Sequence, residues 1–130
     1  MACFLVPAAE AVAVSAAARV LKAREAGAAS MPRMETETKL PLSRKLGWLS
    51  NLLWGGSALL AYEHVWHGEI VPWFPFLTAA ENPVAFAEML HEMSTVGVTM
   101  ALAVTGVWAG IAAVARSMER RALTEGRLAK

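Results

Sequence analysis

Met93 to Ala115, MSTVGVTMALAVTGVWAGIAAVA, runs for 23 residues without a charged side chain. At 1.5 Å per residue such a run crosses a hydrocarbon layer of about 30 Å. In lipid every backbone N–H and C=O must find a partner within the segment, which makes the run a helix. A soluble surface helix needs a polar face, and this run offers only Ser and Thr for one.

A second apolar stretch lies upstream. Leu46 to Tyr62, LGWLSNLLWGGSALLAY, carries no charge and extends to about Trp66. Two such helices joined by a short loop predict an all-α integral membrane helical hairpin with two transmembrane helices. The expected segments are a first transmembrane helix over 46–66, an outer loop over 67–82, and a helix over 83–115 that contains the second span. A basic tail follows over 116–130. Within the loop, Asn82 followed by Pro83 reads as a helix cap with proline at the first helical position. The second helix is therefore expected to start about ten residues ahead of its spanning part.

Composition alone does not decide this class. The chain has 130 residues, 56% hydrophobic and 18% charged, with a net charge of +1, but 26 of the residues are Ala. Position decides it. All twelve basic residues lie at or before Lys45 or at or after Arg116, leaving 70 residues with neither Lys nor Arg. That central region holds Glu63, Glu69, Glu81, Glu88 and Glu92 and all three histidines. The positive-inside rule then puts both flanks of the hairpin in the cytoplasm and loop 67–82 outside, in a cytoplasmic-type (inner or plasma) membrane. Trp73, Phe74 and Phe76 in the loop favour the headgroup layer.

Residues 1–26 form an additional apolar or amphipathic helix, centred on about Ala8 to Ala26. Its basic residues, Arg19, Lys22 and Arg24, follow the apolar run, the reverse of a secretory signal. It reads as a third span with its amino end outside, as an interfacial helix, or as an extension ahead of a working start at Met31 or Met34. Glu10 and Pro7 count against a span unless a partner helix compensates. Residues 27–45 form a polar, basic linker.

Small residues let membrane helices approach closely. Gly47, Ser50, Trp54, Ser57, Ala61 and His64 form one stripe on the first helix. Glu88, Glu92, Thr95, Thr99, Ala103, Gly106 and Gly110 form another on the second, ending in a GxxxG. Facing stripes predict a tight antiparallel hairpin, or contacts between chains.

One constellation carries candidate chemistry. Glu63, His64, His67 and Glu69 end the first helix, and Glu88, His91 and Glu92 open the second. Imidazole and carboxylate together suit Zn²⁺, Fe, Mn or Ni. The candidate metal ligands are His64, His67, Glu88, His91 and Glu92, and no cofactor is identified beyond that. A homodimer would double the Glu63 and Glu88-x-x-His91 set into a ferritin-like arrangement. Equally, acids and histidines are what an outer interface keeps once Lys and Arg are excluded. A path for protons or cations past Glu92, Thr95 and Thr99 is a further reading.

No phosphate-binding, dinucleotide-binding or nucleophile-elbow motif is present, and one cysteine rules out an internal disulfide framework. No enzymatic activity is expected. The net charge gives no reason for nucleic acid. The expected partners are the lipid bilayer and either further copies of the chain or a larger membrane protein, in an accessory or interaction role.

Overall fold

Alanine is the best helix former, and Ala-rich sequence from Ala8 to Ala28 propagates a helix once a first turn exists. In the structure, a computed structural model that describes residues 2–28 and 40–128, this helix is α1, Leu5–Ala28. It starts three residues ahead of the expected position. Pro7 sits in the first turn, where its missing N–H breaks no helical bond. The carbonyls of Ala2, Cys3 and Phe4 accept from Leu5, Val6 and Ala8 and start the helix. Most of the linker, residues 29–39, lies outside the described residues.

Helix α2, Leu42–Trp66, begins directly after an extended Pro41. Its end is a Schellman motif. Gly68, at φ +71°, turns the chain, the Gly68 N–H donates to Val65 O, and the Glu69 N–H donates to His64 O, both at 3.0 Å. A left-handed backbone residue is required there, and glycine takes it without steric cost.

The loop folds back on itself. The Thr78 N–H donates to Glu69 O at 3.2 Å and the Val71 N–H to Phe76 O at 2.9 Å, around a cis Phe74–Pro75 bond. A 3₁₀ turn, Thr78–Glu81, leads to the expected cap: Asn82 Oδ1 accepts from the Val84 N–H at 2.9 Å, with Pro83 opening α3, Pro83–Glu92. A π-helical turn, Met93–Gly97, joins α3 to α4, Val98–Leu128, so that the chain runs on as one long rod through the expected span and into the basic tail.

Among the described residues the protein is all helical, with an isolated bridge between Ile70 and Leu77 and no strand. Helices α1 and α2 lie antiparallel: Cys3 meets His64, Ser15 meets Ser50, and Glu25 meets Ser43. Helix α4 runs alongside both, parallel to α1. Two apolar clusters hold the bundle. One joins Ala11, Leu49 and Leu53 to Val14, Val104 and Trp108, and the other joins Ala2, Ala79 and Met89 to Phe4, Leu77, Ala85 and Met93.

Two expectations are corrected by this packing. The small-residue stripe of α2 does bury Ser50, Ser57 and His64, but its closest neighbour is α1 and not the second stripe. Gly106 and Gly110 face open space, with nothing within 4 Å of an added Cβ, so the GxxxG is not used within the chain. The physical reason is competition: an Ala-rich helix whose one small polar residue, Ser15, meets Ser50 fits the α2 stripe as closely as α4 does. The expectation of two spans is met in one helix. The rod that begins at Pro83, followed to Glu125, is long and apolar enough to cross a membrane, and only 11% of its apolar window is buried. In α2, Ser50, Asn51, Ser57 and the charged ends dilute the apolar run.

Candidate functional site

The Schellman turn fixes a side-chain cluster at the acidic end of the bundle. It leaves His64 on the last turn of α2, facing α1, and brings Glu69 back beside it. The His64 Nδ1–H donates to Leu60 O at 2.7 Å, which orients the ring and leaves Nε2 as an acceptor. Cys3 Sγ lies 3.3 Å from that Nε2, and Glu69 Oε2 lies 3.8 Å from it. Phe4 closes over the ring edge-on, with centroids 5.5 Å apart. Cys3 and His64 are both buried.

The thiol therefore has a proton acceptor, but the geometry is not that of a nucleophilic triad. There the carboxylate orients the second ring nitrogen, whereas here that nitrogen is taken by a backbone carbonyl and the carboxylate faces the same nitrogen as the thiol. The contact ties the start of α1 to the end of α2.

The five expected metal ligands are not gathered into one centre. His64 points into the helix interface. His67 caps α2 and is exposed, Glu88 and His91 are exposed on α3, and Glu92 is half-buried at the entry to the π turn. Among the described residues no group of three or more His, Cys, Asp or Glu side chains is placed to hold a metal ion. The loop offsets α3 from the end of α2, so equal height in the sequence pattern does not become contact. The expected path past Glu92 also lacks a wall: Thr95 and Thr99 are exposed and donate to their own helix, to His91 O and Thr95 O.

Polar contacts lie deeper in the bundle. The Thr105 hydroxyl donates to Glu10 Oε1 at 2.6 Å, which supplies the partner that an acid on an apolar helix needs. The Ser15 and Ser50 hydroxyls are 2.6 Å apart, and the Trp54 indole N–H donates to Ser15 at 3.2 Å.

At the opposite end the basic termini converge. Lys45 is buried and pairs with Glu119 at 3.0 Å, while the Trp108 indole N–H donates to Lys45 O at 2.7 Å. The hydrogen bond from Lys45 holds the Glu119 carboxyl below the usual carboxylate range. Burial pushes it the other way, and the Leu40 N–H and the charges of Lys45 and Arg116 add to the lowering. Because the folded value lies below the unfolded one, the pair's stabilisation is present above the unfolded carboxylate range and is lost as pH falls through the folded value. Glu119→Gln is therefore expected to lower the melting temperature in detergent by several degrees at neutral pH. The wild-type and variant values should converge as the pH falls from the unfolded carboxylate range through the lowered folded value. A constant difference across that range would show that the Glu119 charge is not what matters.

Sequence reasoning passed over Cys3 and Glu119 because their partners, His64 and Lys45, lie on another helix, and it placed Glu69 in the constellation without pairing it to His64. The one usable signal was Gly68 directly after the first helix, which forecasts a cap that returns the next residue to the last turn. No protein-family model matches the chain, and comparison with curated proteins and with solved structures likewise finds no match.

Proposed function

We propose that the chain is a multi-pass membrane protein in which α1, α2 and α4 each cross the bilayer, and that it acts as an accessory or interaction subunit of a membrane assembly. The observation that carries this reading is the uncovered apolar surface of α4: Val98, Met100, Leu102, Val107, Ile111 and Val114 are all exposed, and no described residue covers them. A patch of this kind marks a lipid or protein contact. Two further features support it. Arg19, Lys22, Arg44, Lys45, Arg116 and Arg120 collect at one end of the bundle, and Glu63, Glu69, Glu81 and the aromatic loop at the other, as positive-inside orientation requires. Helices of 24 and 25 residues in α1 and α2 measure about 36–38 Å, enough to reach across.

In this topology the residues before α1 and loop 67–82 are outside, and the α1–α2 connection and the carboxyl-terminal tail are inside. Reporter fusions at Ala79 and after Lys130 should report opposite sides, with a fusion ahead of α1 agreeing with Ala79. The same side at Ala79 and Lys130 would overturn the reading.

The interaction role has its own test. A Cβ added at Gly106 or Gly110 meets nothing within 4 Å among the described residues. Gly106→Leu with Gly110→Leu should not lower the melting temperature but should abolish association with a second copy or a larger partner, read by crosslinking in the native membrane. Crosslinking that survives both substitutions would remove this face of α4 from the interface.

A further inference from the structure

At the basic end of the bundle, α1 and α2 change character at the same level. Apart from Glu10 and Ser15, α1 is apolar up to Ala18 and then carries Arg19 and Lys22, while α2 carries Arg44 and Lys45 and then turns apolar from Leu46. Between the two helices, straddling that boundary, runs an open groove of about 660 Å³. Gly47 forms part of its floor, and an added Cβ there would meet nothing within 4 Å. Trp48 forms the wall beside it. Arg19, Lys22 and Arg44 rim the groove, all exposed, and none of them has a carboxylate partner among the described residues. The Trp48 indole N–H likewise has no acceptor among them. The one acid on the rim, Glu25, is engaged, accepting from the N–H and the hydroxyl of Ser43.

We infer that this groove is a binding site for an anionic glycerophospholipid of the inner leaflet. The phosphate lies among Arg19, Lys22 and Arg44, and the glycerol and upper acyl chain lie over Gly47 against Trp48. The assignment rests on the membrane reading above and adds an identity for one of the lipids. Three unpaired cations with an apolar floor directly beneath them match the amphiphile in both charge and polarity order. A free phosphate would use the cations and leave the floor empty. Basic pockets between helices on the cytoplasmic side are the recurrent form of such sites. Guanidinium groups suit the phosphate through paired N–H donors.

The test uses the full chain in bilayers whose acyl chains carry bromine, a short-range quencher of indole fluorescence. Five tryptophans are present, at 48, 54, 66, 73 and 108. The Trp48 signal is the difference between the wild type and Trp48→Phe. Brominated phosphatidylglycerol, diluted into unbrominated phosphatidylcholine, should quench Trp48 at a much lower mole fraction than brominated phosphatidylcholine does. Each of Arg19→Gln, Lys22→Gln and Arg44→Gln should reduce that preference roughly fivefold. Gly47→Leu, which fills the floor and leaves every charge in place, should reduce Trp48 quenching by phosphatidylglycerol to the phosphatidylcholine level. Inorganic phosphate should not compete, and competition by it would reassign the site to a free anion. Equal quenching of Trp48 by the two lipids overturns the inference, as does an unquenched Trp48 beside four quenched tryptophans, the result expected if a polypeptide fills the groove. If no tryptophan is quenched by either lipid, the membrane reading fails as well.

Discussion

Leu53→Ala is expected to destabilise the folded bundle by about 2–4 kcal/mol. Leu53 is the largest side chain with no exposed surface, and it sits where all three long helices meet, against Ala11 of α1 and near Val104 and Trp108 of α4. In a bilayer the transfer of a leucyl side chain from lipid to protein gains little, since both are apolar. What the substitution removes is packing: the truncated site leaves a void whose lining loses dispersion contacts on one side. The expected cost falls short of the largest values known from water-soluble cores for that reason. The measurement is reversible unfolding in mixed micelles at increasing denaturing detergent, with Leu59→Ala as control. Leu59 is 70% exposed on the same helix, and its truncation should change stability by less than about 0.5 kcal/mol. Equal effects at the two positions would mean that α1 and α4 do not converge on α2.

Local features were legible in the sequence, and contacts between helices were not. Each long helix was visible as an apolar run, although α1 and α2 begin ahead of the expected positions and α4 continues through the basic tail, and the Asn82–Pro83 start is local chemistry that acts wherever it occurs. The separation of Lys and Arg from the centre was likewise a property of order along the chain, and the bundle turns it into two ends of opposite character. Contacts obeyed another logic. Glu10 marked α1 as an awkward helix, and the residue that answers it, Thr105, is 95 positions away. Cys3 and His64 are 61 positions apart, and Lys45 and Glu119 74. No spacing rule connects residues on different helices before their register is known. The stripe of small residues on α2 was correctly seen as a packing face, yet a stripe specifies only that something fits closely. The histidine and glutamate cluster is not gathered among the described residues for the same reason. Helical spacing placed His64 and His67 near one another on α2 and Glu88 and His91 near one another on α3, but the folded loop sets the two pairs apart.

The glycines show this limit most sharply, and they supply the second large effect. Gly97→Ala is expected to cost about 1–2 kcal/mol, and Gly97→Leu about 3 kcal/mol, by overpacking. A Cβ at Gly97 would stand 2.9 Å from Val6 Cγ2 and 3.0 Å from Cys3 O. Rotating Val6 relieves the first contact only in part, because its Cβ is also within 3.2 Å. The second contact is with backbone, and Cys3 O already accepts from the Val6 N–H in the first turn of α1. Relief therefore requires the start of α1 to move away from the π turn, which breaks the seat that keeps Cys3 buried against His64. Two readouts should change together. Stability should fall, and Cys3, 8% exposed in the wild type, should react faster with a thiol-directed maleimide. Gly106→Ala is the matched control: its Cβ meets nothing, so helix propensity alone should leave stability unchanged or raise it by up to about 1 kcal/mol. If Gly97→Ala behaves like Gly106→Ala, with Cys3 unreactive in both, then α1 does not dock against the π turn, and the tie between Cys3 and His64 is lost with it.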